Sequence, residues 1–218
     1  MSYLSRISRP ELIDLSVSLV ALIIAFSILG KRQLPGMEVI LISAVGAGSG
    51  FLLHELAHKF VAQRYGYWAE YRANWSGLAL MIIMSFMGFI FAAPGAVMIR
   101  KVAAMPQPDT EIMNHEQLEQ KEKREMLWIS LAGPLTNLIL MALFFVLLLA
   151  SVTTTGQLLM NAAYFAFYIN LILAAFNLIP VDPFDGGKIF RASRTVWAVV
   201  AIPTILIALP VYFGIAIM

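Results

Sequence analysis

Long apolar runs separated by short polar connections are the dominant pattern of this 218-residue chain. About 20 apolar residues are enough for a helix to cross the hydrocarbon core of a bilayer. Six runs approach or exceed that length: Leu12–Leu29, Met37–Val61, Leu78–Ile99, Leu127–Ala150, Leu158–Pro180 and Val196–Ile217. The pattern therefore predicts an all-α polytopic membrane protein with five to six transmembrane helices.

The third run, Leu78–Ile99, differs from the others because Gly88, Pro94 and Gly95 interrupt it. Such residues favour a broken element over a continuous helix. Basic residues also flank the run on both sides, and cytoplasmic connections are the ones enriched in Lys and Arg. A run that enters the membrane and returns keeps both flanks on the cytoplasmic side. We therefore predict a re-entrant or hairpin element here, with a sixth span as the alternative by length.

The remaining connections complete the expected organisation. Arg100–Glu125 is the one long polar stretch, and its alternating charges favour a solvated loop with a short helix. It is too short for a separate soluble domain. Arg6 and Arg9 precede the first run and no small-residue cleavage site follows it, which favours a retained first span. We expect a single domain over residues 1–218 with a core at 37–195, and spans 12–29 and 196–217 are candidates for a lateral gate.

Composition supports the membrane class and restricts the chemistry. Hydrophobic residues make up 60% of the chain, charged residues only 13%, and the mean hydropathy is +0.81. The net charge of +2 forms no basic patch, so we expect no nucleic-acid partner. Cysteine is absent, which removes disulfides and thiolate metal sites. Any bound metal must use histidine and carboxylate ligands.

The sequence His54-Glu55-Leu56-Ala57-His58 lies within the second apolar run. Residues four apart share one helix face, so the two imidazoles can bind one metal ion while Glu55 takes a proton from a water on it. The alternative is a pair of helix-surface histidines beside a glutamate. Ionisable side chains within a membrane helix are costly and usually functional, so we favour a metal site.

A catalytic zinc usually has a third protein ligand. Asp182 and Asp185 follow the fifth apolar run at the same predicted membrane depth as His58, and the residues alone do not separate them. Asp185 could instead cap a helix, with Gly186-Gly187 allowing a sharp turn after it. His115 lies in the charged stretch and is more simply a solvated histidine.

Taken together, His54–His58 and Asn177-Leu178-Ile179-Pro180-Val181-Asp182-Pro183-Phe184-Asp185-Gly186 resemble the site-2 protease family of intramembrane zinc metalloproteases. The second motif has the family spacing N-x-x-P-x(4)-D-G. Ala132–Asn137 is similar to the small-residue and Asn signature between the two motifs, and Phe89–Val97 is similar to the membrane-associated β-hairpin region. The resemblance covers about 43–187, and nothing in the chain corresponds to the PDZ or CBS domain of some members.

The resemblance implies one zinc ion per chain, held by His54, His58 and Asp185, with Glu55 as general base. It also implies a catalytic role for Asn177 near the scissile carbonyl, against the alternative of a bond to a neighbouring helix backbone. For Asn137 we favour helix packing. The implied function is hydrolysis of a peptide bond in or near a transmembrane segment of another protein, as in regulated intramembrane proteolysis. We further expect a multi-pass protein of a prokaryotic cell membrane, an active site toward the cytoplasm, and regulation by a separate protein, if any.

Two other interpretations remain at this stage. Another membrane zinc peptidase, such as a prenyl-protein protease, would take a Glu or His from a later helix as third ligand. A metal-binding or metal-transport protein without enzymatic activity would line a path with several acids and histidines. In this chain, apart from Glu38 at the start of the second run, Asp14 is the only further acid inside an apolar run.

Overall fold

The computed structural model describes residues 7–29, 34–90, 94–101, 115–154 and 156–212. Eight α-helices and two strands occur in this part of the chain. The helices are α1 (Arg9–Ile28), α2 (Met37–Ala47), α3 (Leu53–Arg64), α4 (Trp75–Phe86), α5 (His115–Thr154), α6 (Gln157–Asn177), α7 (Asp185–Ala192) and α8 (Arg194–Tyr212). The strands are β1 (Tyr67–Ala73) and β2 (Gly95–Lys101).

Within the described residues, five helical segments are long and apolar enough to cross a membrane. They are α1, the continuous helix Met37–Arg64, the apolar part of α5, α6 and α8. Helix α4 has only 12 residues, or about 18 Å at 1.5 Å per residue, against a hydrocarbon core of about 30 Å. The all-α polytopic prediction is confirmed, and the protein is an integral membrane protein with five candidate spans.

The interrupted third run forms a short helix followed by a strand. Helix α4 starts at an N-cap, where the Asn74 side chain accepts a hydrogen bond from the backbone N–H of Gly77. Strand β2 then pairs antiparallel with β1, with Tyr67 opposite Lys101 and Ala73 opposite Gly95. The run is therefore broken, as predicted, but its described residues form no hairpin by themselves: their strand pairs with β1, which lies before the run. Residues 91–93 of the predicted region lie outside the described residues.

The long polar stretch differs from the prediction. Residues 100 and 101 end β2, and α5 begins at His115 and runs without a break for 40 residues. Such a helix is about 60 Å long, twice the hydrocarbon thickness, so its charged first turns extend beyond the membrane. The expected short helix is thus the start of a span. Residues 102–114 lie outside the described residues.

The second apolar run contains an irregular turn. Gly48–Leu52 form a π-helical turn between α2 and α3, directly before His54. Such turns are rare and often lie at functional sites. Gly46 and Gly50 allow close packing on α6, because a Cβ at Gly46 would lie 2.6 Å from the Phe165 ring and one at Gly50 2.8 Å from Leu173. The small residues before the motif therefore pack helices together, as glycines do in membrane bundles.

A buried ion pair joins the first span to α3. Lys59 donates to Glu11, and both side chains are almost fully buried. Glu11 also accepts from the backbone N–H of Tyr71 in β1 at 3.1 Å, and it forms a capping box with Ser8 at the start of α1. Because Lys59 follows His58 directly, this pair connects α1 and β1 to the end of the helix that carries both histidines.

Replacing Lys59 with Met should destabilise the protein strongly. The substitution leaves a buried Glu11 carboxylate without its cation, and breaking a buried pair on one side costs about 3–5 kcal/mol. The double variant Glu11→Leu with Lys59→Met removes both charges and should recover much of that loss. Thermal unfolding of the single and the double variant in the same detergent measures the loss and its recovery. A Lys59→Met protein as stable as the parent would show that the pair does not anchor α1.

Candidate metal centre

Three buried donor side chains from two separate segments meet at one point. His54 and His58 lie one helical turn apart on α3, and their Nε2 atoms are 3.1 Å apart. The Asp185 Oδ2 atom lies 2.9 Å from His58 Nε2 and 3.4 Å from His54 Nε2. All three residues are buried. The two histidines of the sequence motif and the later aspartate therefore form one cluster.

Asp185 reaches the cluster because α6 ends close to the histidines and α7 starts with Asp185. Phe184 is the N-cap of α7, so Asp185 is the first helical residue and not a cap. A Cβ at Gly186 would overlap the backbone of Leu178 and Ile179, and one at Gly187 would lie 2.9 Å from the backbone carbon of Val181. The two glycines therefore permit close packing of α7 on the preceding loop, and the predicted turn after Asp185 does not occur.

The donor set fits a zinc ion. Zinc prefers nitrogen and oxygen ligands at about 2.0–2.1 Å in a tetrahedron, which places neighbouring donors about 3.3–3.4 Å apart. The three donor distances of 2.9–3.4 Å are close to that value. Three protein donors also leave one tetrahedral position for water or substrate, as in catalytic zinc sites.

Gly133 on α5 keeps the space beside these donors open. A Cβ built at Gly133 would lie 2.5 Å from His54 Nε2, and closer still to His58 Nε2. Even one methyl group would therefore crowd the space next to both Nε2 atoms. A glycine here is required by the site and not by the backbone, because Gly133 lies inside a regular helix.

Replacing Gly133 with Ala should remove bound zinc from the purified protein. The new methyl group competes directly with the ion for the space next to both Nε2 atoms. Metal analysis of the detergent-purified protein measures the effect, and Gly48→Ala is the matched control because a Cβ there contacts nothing within 4 Å. Full zinc occupancy in Gly133→Ala, with an unchanged fold, would contradict this placement of the metal.

Both imidazoles are oriented through their second nitrogen. His54 Nδ1 donates to Asn137 Oδ1 at 2.5 Å, and His58 Nδ1 donates to the backbone carbonyl of Ile129 at 2.7 Å. These bonds leave the Nε2 lone pairs free for a metal ion. Metal-binding histidines are commonly oriented in this way, by a group that accepts a hydrogen bond from the other ring nitrogen. The sequence pointed to Asn137 as a packing residue, whereas it contacts a histidine of the cluster. A backbone carbonyl such as that of Ile129 has no sequence signal.

Asn137 is itself held by a chain of hydrogen bonds across three helices. Its amide nitrogen donates to the carbonyl oxygen of Gly50 and to Asn170 Oδ1, both at 2.9 Å. Asn170 then donates to the Ala166 carbonyl at 2.8 Å and to Ser49 Oγ at 3.3 Å. The carbonyl of Gly50 belongs to the π-helical turn, so that turn supplies part of the support for His54. Asn137 therefore both packs helices together and orients an imidazole.

Replacing Asn137 with Ala should weaken zinc binding about 10–100-fold, the usual effect of removing a group that orients a metal ligand. Asn161→Ala, which changes a partly exposed asparagine of α6 that is not part of the cluster, is the matched control. Competition with a chelator of known affinity measures the change. Equal zinc affinity in both variants would show that the Asn137–His54 bond does not support the site.

The two other candidate ligands lie elsewhere. Asp182 is exposed, and its carboxylate forms two 2.9 Å hydrogen bonds with Arg191. That guanidinium holds the pKa of Asp182 below its usual value, so it stays an anion paired with Arg191. His115 is exposed at the first residue of α5. Of the two aspartates that the residues alone left open, only Asp185 lies beside the histidines.

Two cavities meet at the cluster. The polar compartment, of about 90 Å³, is lined by His58, Ser130, Asp185 and Lys188, among others. The apolar compartment, of about 150 Å³, is lined mainly by Leu22, Phe26, Ala47, Phe51, Leu173 and Phe184. Six residues line both: His54, Glu55, Gly95, Ala96, Asn177 and Pro183. Glu55 and Asn177 thus face both compartments, although the Asn177 amide also donates to the Leu173 carbonyl of its own helix at 3.0 Å.

Several known proteins are similar to this chain in sequence. The model of peptidase family M50 matches residues 42–162 and 151–218. A protein of Methanocaldococcus jannaschii named as a candidate zinc metalloprotease is 40% identical over 201 residues, 92% of this chain and 93% of its own. A second protein of that organism, named zinc metalloprotease, is 30% identical over 65% of this chain and 31% of its own. A candidate zinc metalloprotease of Mycobacterium tuberculosis is 29% identical over 72% of this chain and 33% of its own.

No solved structure matches the chain significantly. The family match covers most of the chain and includes both motifs and all three cluster residues. It favours a protease over a metal transporter, and the site-2 protease interpretation over the prenyl-protein one. The chain belongs to peptidase family M50, the site-2 protease family, and is a zinc metalloprotease of the membrane-spanning class.

Proposed function

We propose that this protein is an intramembrane endopeptidase that hydrolyses a peptide bond in or near a transmembrane segment of another protein. The observation that carries the proposal is the position of the buried cluster. Two of its members belong to a helix that is itself a candidate span, and Gly133 of a second candidate span lies directly against both histidines. A substrate must therefore come to the site within the membrane or at its boundary.

In this proposal His54, His58 and Asp185 hold one zinc ion per chain. Zinc bound there would polarise the scissile carbonyl and lower the pKa of a water molecule from 15.7 toward about 7. Lys188 contributes to the arrangement because its ammonium group lies 3.1 Å from Asp185 Oδ1, leaving Oδ2 directed at the histidines.

Glu55 is the proposed general base. Its carboxylate takes a proton from the attacking water, whose oxygen adds to the carbonyl carbon of the peptide bond. The same carboxyl group then delivers the proton to the leaving nitrogen as the C–N bond breaks, so that a carboxylate and an amine leave. Asn177 lies on the shared wall of the two compartments and donates to the oxygen on which negative charge develops.

A helical substrate must first unwind, because its peptide groups are hydrogen-bonded and shielded. Strand β2 pairs with β1 along one edge, and among the described residues no strand occupies its other edge. Gly95 and Ala96 of β2 also form part of the shared wall. An unwound segment added along β2 would regain backbone hydrogen bonds beside the cluster, as in other cases of β-strand addition.

We further propose a prokaryotic cell membrane and an active site toward the cytoplasm, an orientation that the charge distribution supports. His58 lies near the end of its span, followed by Lys59 and Arg64. Lys188 lies 3.1 Å from Asp185 of the cluster, and Arg191 follows on the same short helix, and basic residues mark cytoplasmic ends. The proposed partners are a transmembrane substrate, the lipid bilayer and a separate regulatory protein.

Purified protein in detergent, incubated with unrelated model transmembrane segments, tests the proposal. We expect internal cleavage that stops with a chelator and returns when zinc is added. Mass spectrometry of the products locates the cut bond. Cleavage confined to soluble unstructured peptides, with none in membrane segments, would overturn the intramembrane assignment while leaving the metalloprotease intact.

A further inference from the structure

We propose that the apolar compartment is a specificity subsite that receives one large apolar side chain, of the size of Leu or Phe, next to the scissile bond. The inference rests on the proposed function and extends it to substrate choice. The compartment shares Glu55 and Asn177 with the polar compartment, so a side chain inside it belongs to a residue adjacent to the reacting carbonyl.

Its size matches such a side chain. The volume of about 150 Å³ equals that of an engineered cavity lined by Leu, Ile and Phe that stays dry and binds benzene. Away from the shared wall, the lining residues named above, Ala47 among them, are aromatic or aliphatic. A charged or amide side chain would lose its hydration there without gaining a hydrogen-bond partner.

The walls are held in place before any substrate binds. The Phe51 ring packs edge-on against Tyr71 with centroids 5.5 Å apart, and the Phe26 ring packs edge-on against Phe165 at 5.7 Å. Tyr71 donates to Ser18 of α1 at 3.0 Å, which ties the α1 wall to β1. Most small-molecule pockets are likewise largely formed in advance.

The apolar compartment also extends in the direction from which a transmembrane substrate would enter. The start of α1 lies beside the end of α3, because Glu11 contacts Lys59 there. Leu22 and Phe26, which line the apolar compartment, lie in the second half of α1, away from that contact. The apolar compartment therefore extends toward the membrane interior, whereas the polar compartment lies on the side of Lys188. A transmembrane segment can supply an apolar side chain from the interior while water reaches the metal centre from the opposite side.

Competition between substrates tests the subsite. The cut bond of a model transmembrane segment is first mapped by mass spectrometry, and the residues on either side of it are then varied in turn as Ala, Leu or Phe. In mixtures the cleavage ratio reports the ratio of kcat/KM. At one of the two positions we expect the substrate with Leu or Phe to have a kcat/KM at least about 10-fold higher than the substrate with Ala. This is the effect of filling a well-formed apolar pocket.

Two variants change the compartment in opposite directions. Ala47→Leu fills it and should reverse the preference toward Ala, while Leu173→Ala enlarges it and should move the preference toward Phe. Ala175→Leu is the matched control, since it adds the same group to an apolar groove between α6 and α8 outside the site. Zinc content, measured for all variants, reports whether the metal centre is intact.

The experiment distinguishes a wrong subsite from a wrong proposed function by the cleavage pattern of the parent protein. If the parent protein cleaves the segments in a zinc-dependent way but with equal rates for Ala, Leu and Phe at both positions, the subsite is refuted and the protease activity stands. An unchanged preference in both zinc-loaded compartment variants refutes it as well. A parent protein that cleaves none of the membrane segments overturns the proposed function and the subsite together.

Discussion

Glu55→Gln should abolish measurable cleavage while the protein keeps its zinc. The amide cannot take a proton from water, and a general base contributes about 10²–10⁴-fold to such reactions. Glu55 is not among the three clustered donors, so its substitution leaves them in place. The measurements are the cleavage rate of a model transmembrane segment and the zinc content of the same preparation.

Glu38→Gln is the control for this substitution, because Glu38 lies on the same continuous helix but is exposed, far from the cluster in sequence. It should cleave at the parent rate. If Glu55→Gln retained a rate within a few-fold of the parent, Glu55 would not be the base. If it lost zinc as well as activity, its role would be structural and not proton transfer.

Asp185→Ala should lower zinc affinity by more than about 100-fold. It removes one of three proposed ligands. Loss of a group that only hydrogen-bonds a ligand already lowers metal affinity about 10–100-fold, and loss of a ligand itself is a larger change. The substitution also leaves His54 and His58 with only each other as partners at their Nε2 atoms. Zinc titration against a competing chelator gives the affinity, and cleavage should fall with it at low zinc concentrations.

Asp182→Ala is the matched comparison, because Asp182 lies three residues before Asp185, on the loop that leads into α7. Its carboxylate is exposed and paired only with Arg191, and exposed pairs contribute about 0–1 kcal/mol. We therefore expect parent-like zinc affinity. The reverse result, with zinc lost on replacing Asp182 and kept on replacing Asp185, would refute the ligand assignment.

Periodicity and spacing were enough to identify the histidine pair. Residues four apart face the same side of any α-helix, so His54 and His58 needed no tertiary information to be placed together. The apolar runs predicted the spans for a similarly local reason, since membrane thickness sets helix length. Leu78–Ile99 was recognised as broken because its glycines and proline act on the backbone locally.

The limits of α5 show where such local reasoning fails. Charge density suggested a solvated loop with a short helix over Arg100–Glu125, yet the helix that begins at His115 continues into the apolar span. Alternating charges are as compatible with a solvated helix as with a loop, and the pattern does not report continuity. Strand β1 was not predicted either, because the residues with which it pairs lie 22 to 34 positions away along the chain.

The amino-acid sequence alone determined the class of the protein, the histidine pair with its glutamate, and the two aspartates that could complete the site. The motif resemblance implied Asp185, and the tertiary structure gave the physical separation, because α7 packs on the end of α6 so that Asp185 meets the imidazoles while Asp182 pairs with Arg191. Only the tertiary structure placed Gly133 and Asn137 beside the histidine cluster and opened the apolar compartment next to it. The physical reason is that these properties depend on distances between helices that are remote in sequence, which composition and periodicity do not specify.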